Sequence, residues 1–281
     1  MHKSDLTAWP EAHCRARVQF PGGEPESNDV IGAPRFGAVE TTVLRSEHTP
    51  DVGATMEFQQ LAFERRSIRG YKQEPVPKAL LDEIIEVAAQ TPSSMNTQPW
   101  HVHVVTGDVL DRIRTGNTER MLETGKPDRE IRGHVRYEGA HRDRQKRVAA
   151  QLFEAAGIGW DDKELRQDWA MRGFRQFDAP VSVIGCIDRD LIDSTEAYFD
   201  LGQFVYAMVI AAWDRGVGAV INGQGIYQSS VVREEASIPE DQLIVITVAM
   251  GFPADDFPAN DVVSERRSVG EIATYRGFDG Q

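Results

Sequence analysis

From Asp193 to Arg215 apolar residues come so densely that the helix they specify cannot leave its middle in water. Ala197, Leu201, Phe204, Val205, Met208, Ala211 and Ala212 follow one another at spacings of 4, 3, 1, 3, 3 and 1, the rhythm of an α-helix. Apolar residues nearly surround the middle of this segment, which predicts burial on all sides. Asp193 and Glu196 suit its N-terminal dipole end, Arg215 suits the other, and Gly216 closes it. A helix of this kind needs other elements packed around it, and short apolar runs supply them. Trp100–Thr106, Val181–Ile187, Val217–Ile221 and Leu243–Met250 read as strands. Helical patterns lie between and before them: residues 57–65, a segment opening at Val76-Pro77 with Leu80, Leu81, Ile84, Ile85 and Ala88 on one stripe, Asp108–Thr115, and a short helix from Ser229 or Ser230. Strands and helices alternate, which predicts an α/β or α+β domain with helices on both faces of one sheet.

Three regions depart from that pattern. Residues 1–55 hold 5 of the 14 prolines and show no sustained period, so they read as an extended arm without a core of its own. Residues 117–178 are densely charged and read as a helical excursion. Its helices are expected over His134–Ala156, with Val148, Leu152 and Ala155 inward, and near Asp162–Gly173. Such an excursion either covers a site or is a solvated hairpin. Asp255–Asp261 reads as an irregular, proline-containing tail.

Composition narrows the function classes. The net charge of −13 gives no general attraction for nucleic acid or an anionic membrane, so neither is an expected partner. The longest nearly apolar run, Phe204–Trp213, falls short of the roughly 20 residues a bilayer demands, and a cytoplasmic protein is expected. Cys14 and Cys186 form no CxxC and no HExxH occurs, so neither a disulfide framework nor a metal is expected. His101 and His103 alternate on a strand without a nearby carboxylate or cysteine in sequence. There is no GxGxxG after a first strand and no GxxxxGK[ST] loop.

Against an acidic background, local arginine clusters point to a local anion. ERRSIRGY, Glu64 to Tyr71, carries Arg65, Ser67 and Arg69 two apart, so in an extended segment they share a side. Two guanidinium forks and a hydroxyl make a cradle for phosphate and carbonyl oxygens, with Arg66 beside them. TPSSMNTQPW, Thr91 to Trp100, offers the hydroxyls of Ser93 and Ser94 and the amides of Asn96 and Gln98, which can both donate and accept; Trp100 reads as structural. Asn222–Gly225, NGQG, lets backbone amides approach a flat ring. Arg266 and Arg267 add a second basic pair near the C-terminus. Together these suit an anionic, planar, amide-bearing ligand, and flavin mononucleotide (FMN) fits. No nucleophile–base pair or paired-carboxylate motif competes.

ERRSIRGY, VPKALLDEIIEVAAQTPSSMNTQPWHVHVV, GVGAVINGQGIYQS and the late MGFP and SERRSVGEI resemble the FMN-dependent nitroreductase family over roughly residues 57–278. INGQGI looks most similar to the branch that reduces nitroaromatics such as nitrobenzoates. The resemblance implies a three-layer α+β fold whose central, mainly antiparallel sheet is flanked by helices. It implies an interlocked homodimer with FMN sites built from both chains, here a domain over 56–281 after the arm 1–55. It places Arg65, Arg66, Ser67 and Arg69 on the phosphate and pyrimidine from one chain, and Pro92, Ser93, Ser94 and Asn96 from the other. Gly223, Gln224 and Gly225 would line the ring near its reactive N5, and Arg266 or Arg267 would close on the phosphate. Where the family often has a lysine two places before its C-terminal arginine, this chain has Ser264. Phe174 and Phe177, in the variable excursion, are expected substrate contacts. The implied reaction is ping-pong: NADPH or NADH gives a hydride to N5, and a small aromatic nitro compound is then reduced to nitroso and hydroxylamine. No side chain is expected to be an obligatory catalyst. The same fold also accommodates enone or quinone reduction, dehalogenation, or a non-catalytic flavin-binding dimer.

Overall fold

The computed structural model describes residues 57–131 and 136–278. The arm expected over 1–55 and the helix start expected at His134 lie outside them. Four strands form one sheet: β1 (Trp100–Thr106), β2 (Val181–Asp188), β3 (Gly218–Asn222) and β4 (Gln242–Gly251), in the order β1-β2-β4-β3 with every strand pairing antiparallel. β2 and β4 are central, which accounts for their unbroken apolar runs, since each buries both faces.

The layer on one face consists of α2 (Lys78–Ala88) and the long α6 (Thr195–Asp214). Leu81, Ile84, Leu201, Phe204, Val205 and Met208 meet Val181, Val183, Leu243, Val248 and Met250 there. Phe204 also stacks on Trp100, with ring centres 5.1 Å apart. Ser194 caps α6, its Oγ accepting from the Ala197 N–H at 3.2 Å. On the opposite face α3 (Gly107–Thr124) and α7 (Ser229–Glu235) place Leu110, Ile113 and Val232 against Ile184, Cys186 and Ile244. The expected sheet with helices on both faces is therefore present. A β-bulge adjusts the two layers: Gly185 pairs with Ile246 but Cys186 pairs with Ile244, so Val245 is an extra residue in β4. That shift lets Leu243 and Val248, an odd number of residues apart, serve the same face.

Local pattern misjudged some boundaries. α3 continues nine residues beyond Thr115 and ends at Gly125 in the left-handed region, so the excursion begins after Thr124. The extension is held by Asn117 and Met121, which are buried by the tertiary fold. The excursion contains α4 (Gly139–Ala155) and α5 (Lys163–Met171); within α4 Leu152 is buried. The tail after β4 is not wholly irregular: Pro258–Asp261 forms a tight helical turn, and α8 (Val269–Ile272) follows with a capping box from Ser268 and Glu271.

Cys186 is sealed between β2 and the α3 layer. Burial, ahead of its charged neighbours, pushes its thiol up to about 12. We expect no alkylation of the Cys186 peptide at pH 8 in the native protein, read by mass spectrometry; rapid labelling would contradict the packing. The unfolded thiol ionises near 8.5 whereas the folded one stays protonated, so this group removes stability as pH rises from about 8.5 to about 12.

Candidate ligand-binding site

Edge strand β3 carries both halves of the site. The first half is the segment that leaves α1 (Phe58–Glu64). Ser67 forms a parallel bridge with Ala219, and the Ile68 N–H donates to the Ala219 carbonyl at 3.1 Å. Close approach depends on Gly218, where a Cβ would meet the Ile68 side chain at 2.6 Å. Tyr71 is buried, and its hydroxyl lies 2.6 Å from the Ile68 carbonyl; loss of hydration drives its phenol pKa far above the usual range. Asn260, from the turn after β4, completes the anchorage. Its Oδ1 accepts from the N–H groups of Arg69 at 2.8 Å and Gly70 at 3.0 Å, and its Nδ2 donates to the Gly70 carbonyl at 2.9 Å.

This scaffold gathers cations without counter-charges. Burial is the main cause of the lowered pKa of Arg65, with Arg266 and Arg66 adding repulsion; burial also lowers Arg69. Among the described residues, no carboxylate pairs with Arg65, Arg66, Arg69 or Arg266. A half-dehydrated guanidinium with other guanidinium groups near it, as at Arg65, is unfavourable unless an anion joins it. Arg69 and Arg266 also have local backbone partners: Arg69 Nη1 donates to the Ser67 carbonyl at 3.1 Å and Arg266 Nη1 to the Ser264 carbonyl at 2.8 Å. Arg66 Nη1 donates back to the Phe63 and Glu64 carbonyls, closing α1, and Arg267 leans on the Glu271 carbonyl at 3.4 Å. Arg266, not Arg267, is the late arginine beside Arg65.

The second half is the glycine turn where β3 ends. A Cβ on Gly223 would meet nothing within 4 Å, so this position faces open space. Gly225 is the reverse. Its carbonyl accepts from Asn117 Nδ2 at 2.9 Å and Gln176 Nε2 at 3.2 Å. Asn222 Oδ1 accepts from the Gln224 N–H at 3.1 Å, and Thr247 Oγ1 donates to the Asn222 carbonyl at 2.8 Å. The turn is thus rigid below and open above.

The polar turn Pro92–Asn96 is brought to α6 instead. Asp200, buried on that helix, accepts from the Ser94 N–H at 3.0 Å, and Ser93 Oγ accepts from the Gln98 N–H at 2.9 Å. Met95 and Asn96 have φ of 49° and 59°, and Met95 is 94% exposed. Within one protomer this turn sits at Asp200 while Arg65 is close to Tyr206. Those two α6 positions are six residues apart, about 9 Å along the axis and on different flanks.

Phe174 and Phe177, expected at a substrate, are packing residues. Phe174 is enclosed with Met121 and Met171, edge-on to Tyr227 with ring centres 5.4 Å apart. Phe177 packs on the cluster of Ile68, Tyr71 and Val220. The chain folds inward at this point, which an aromatic in a charged segment does not reveal. His101 bonds Asp188 at 2.8 Å and His103 bonds Gln242 at 2.6 Å across the strands. Among the described residues no group of three metal-ligating side chains meets, and no helix is long and apolar enough to cross a membrane. Asn117, Gln176, Asp200 and Asn260 went unseen in the sequence. Each is a lone polar residue that gains a partner only through the fold.

The nitroreductase family model matches residues 62–252. A chloronitrobenzene nitroreductase from Comamonas testosteroni is 32% identical over 221 residues, covering 78% of this chain and 96% of that protein. A nitrobenzene nitroreductase from Ectopseudomonas oleovorans is 31% identical, with the same coverage of 78% and 96%. Among solved structures, an FMN- and NADPH-dependent nitroreductase from Sphigopyxis sp. strain HMH superposes with a TM-score of 0.75 at 25% identity, over 79% of this chain and 100% of the other.

Proposed function

This chain belongs to the nitroreductase family, and on that premise we propose that it binds FMN and reduces small nitroaromatic compounds with NADPH or NADH. The observation that carries the proposal is a set of arginines without a carboxylate partner, Arg65 with Arg266 near it and the buried Arg69, on a segment that bridges the strand leading into a glycine turn open on its outer side. These residues fit the cofactor: the cations lack the anion that a flavin phosphate provides, and Gly223 leaves room for a flat ring. Arg65, Arg69 and Arg266 would hold the phosphate and pyrimidine end, with the Ser67 hydroxyl among them. Gly223–Gly225 would support the ring. Bound FMN supplies the two-electron hydride chemistry, for which no side chain of the site is suited. The chain's own part is to bind, orient and shield. Its positive groups favour the anionic reduced form, and its open turn gives a planar nitroaromatic access. The nitro group would pass to nitroso and then to hydroxylamine.

The same reading makes the protein a homodimer, with Pro92, Ser93, Ser94 and Asn96 of one chain completing the site of the other. Phe58, Phe63, Met95, Phe199 and Tyr206 are exposed, an apolar set that a second copy would cover. The different flanks of α6 given to the two halves support this arrangement. The arm 1–55 preceding a domain over 56–281 belongs to the reading as well.

The deciding experiment is the visible spectrum of the purified protein, taken without oxygen before and after NADPH or NADH, with its mass by light scattering. Flavin bands that bleach, in a particle of two chains, are expected. No bands after added FMN would reject the cofactor, bands that persist would reject the reductase in favour of a non-catalytic flavin protein, and a monomer would reject the shared site. Arg65→Ala and Arg69→Ala should each weaken FMN binding tenfold to over a hundredfold, the worth of one charge-assisted contact at about 1.5–3 kcal/mol. Unchanged affinity in both, by fluorescence titration, would remove the cluster from the site.

A further inference from the structure

The base of the helical excursion, from Trp169 to Asp178, is wedged between the two halves of the site. Toward the arginine segment, Arg172 Nη2 donates to the Arg69 carbonyl at 2.8 Å. Its guanidinium lies 5.0 Å over the Phe257 ring, and that ring stacks on Trp169 at 6.2 Å and 9°. Gln73 Nε2 adds a bond to the Asp178 carbonyl at 3.1 Å. Toward the glycine turn, Asn222 Nδ2 donates to the Gly173 carbonyl at 2.7 Å and Gln224 Nε2 to the Ala170 carbonyl at 3.1 Å. Gln176 reaches the Gly225 carbonyl and also accepts from Asn222 Nδ2 at 3.0 Å.

The wedge is held under strain. Gln176, Phe177 and Asp178 have φ of 55°, 54° and 56°, three successive side-chain-bearing residues in the left-handed region. Such conformations persist where the surroundings over-determine them, and here they turn the Gln176 amide into the buried space beneath Gly225. A lid that swung away from the base would break both sets of bonds at once. A solvated hairpin would have no reason to bury Gln176 or to place Arg172 on the backbone of the arginine segment.

We infer, on the flavin reading above, that Arg172 and Gln176 are positioning residues: together they brace Arg69 against Gly225 and so set how strongly the protein holds oxidised relative to reduced FMN. Neither carries a group to the reacting atoms. Arg172 acts through the Arg69 carbonyl and Gln176 through the Gly225 carbonyl, where Asn117 is its only partner donor among the described residues. The base of the excursion is then part of the cofactor scaffold, and variation in substrate contact falls to the region outside it.

The test uses the full-length, FMN-loaded protein and the variants Arg172→Met and Gln176→Met. The affinity for FMN is read by fluorescence and the midpoint potential by equilibration with a reference dye. Arg172→Met should weaken FMN binding about tenfold, with Arg172→Lys recovering part of the loss. Gln176→Met should change the oxidised-to-reduced affinity ratio about tenfold, a shift of about 30 mV for a two-electron couple. If Gln176→Met does not fold, Gln176→Asn withdraws the donor by one methylene with the same chemistry and the same readout. Affinities and potentials unchanged in every folded variant would overturn the brace while leaving the flavin reading intact. A parent protein that takes up no FMN would overturn both.

Discussion

Asn260→Ala is expected to destabilise the protein by about 3–5 kcal/mol and to weaken FMN retention in the same variant. Asn260 is 7% exposed and satisfies two N–H groups and a carbonyl in the Arg69–Gly70 segment, with a further bond to the Ala254 carbonyl at 3.3 Å. Truncation leaves those backbone groups without partners, each at about 1–3 kcal/mol where water does not reach. The loss is a large share of the roughly 5–15 kcal/mol that holds a domain together. In a domain of this size it should lower the melting temperature by about 6–20 °C. The cofactor effect follows because Arg69 keeps its charge but loses the fixed backbone that aims it. Asp255→Ala is the control: its ion pair with Lys72 is on the surface, and the melting temperature should stay where it was. An Asn260→Ala protein that melts with the parent would show that the tail does not anchor the segment.

The second large effect separates two neighbouring glycines. A Cβ on Gly225 would fall well inside van der Waals contact with Thr247 Oγ1 and Gln176 Nε2. Gly225→Ala must therefore push on the Thr247–Asn222 and Gln176–Gly225 bonds together. Overpacking at about 1–3 kcal/mol plus two lost hydrogen bonds at about 1 kcal/mol each gives about 3–5 kcal/mol, with the turn displaced and FMN binding lost. Gly223 has φ −72° and ψ −20°, a conformation any residue adopts, and its missing Cβ points into open space. Gly223→Ala should leave the apoprotein as stable as the parent or slightly more so, yet weaken FMN binding, because the methyl enters the room proposed for the ring. Calorimetry and flavin titration on both variants decide. Equal melting temperatures would contradict the packing beneath Gly225, and full FMN affinity in Gly223→Ala would contradict the placement of the ring.

Much of the scaffold was legible before any tertiary contact was known. The α6 pattern announces the long helix and its core-facing residues, although the burial expected on all sides is not met within one protomer, where Phe199, Gly202 and Tyr206 leave one stripe exposed. The runs at β1, β2, β3 and β4 predict those strands to within one or two residues, because apolar periodicity is a local property. The residue types of the site were legible for a related reason. Three arginines around a hydroxyl, a glycine turn and an amide-rich turn are unusual in an acidic chain, and each is a contiguous stretch. The roles within those stretches were not legible. Arg66 and Arg69 are three residues apart and chemically identical, yet Arg66 turns back to close α1 while Arg69 bonds the Ser67 carbonyl and is largely buried.

The sequence by itself determined the long apolar helix, the strands it packs on and the side chains available to meet an anion and a ring. Tertiary structure alone decided the rest. The order β1-β2-β4-β3 puts β3 at an edge, which allows Ser67 to pair with it and brings the arginine segment and the glycine turn onto one strand. The bulge at Val245 decided which apolar residues of β4 face α6. Asn260 reaches residues 190 and 191 positions earlier in the chain, and Gln176 meets Gly225 across 49. Contacts over such separations impose no spacing on the residues around them, so one asparagine in a proline-containing tail and one glutamine after a charged helix look like any others. They acquire a function when folding removes the water that would otherwise have satisfied their partners.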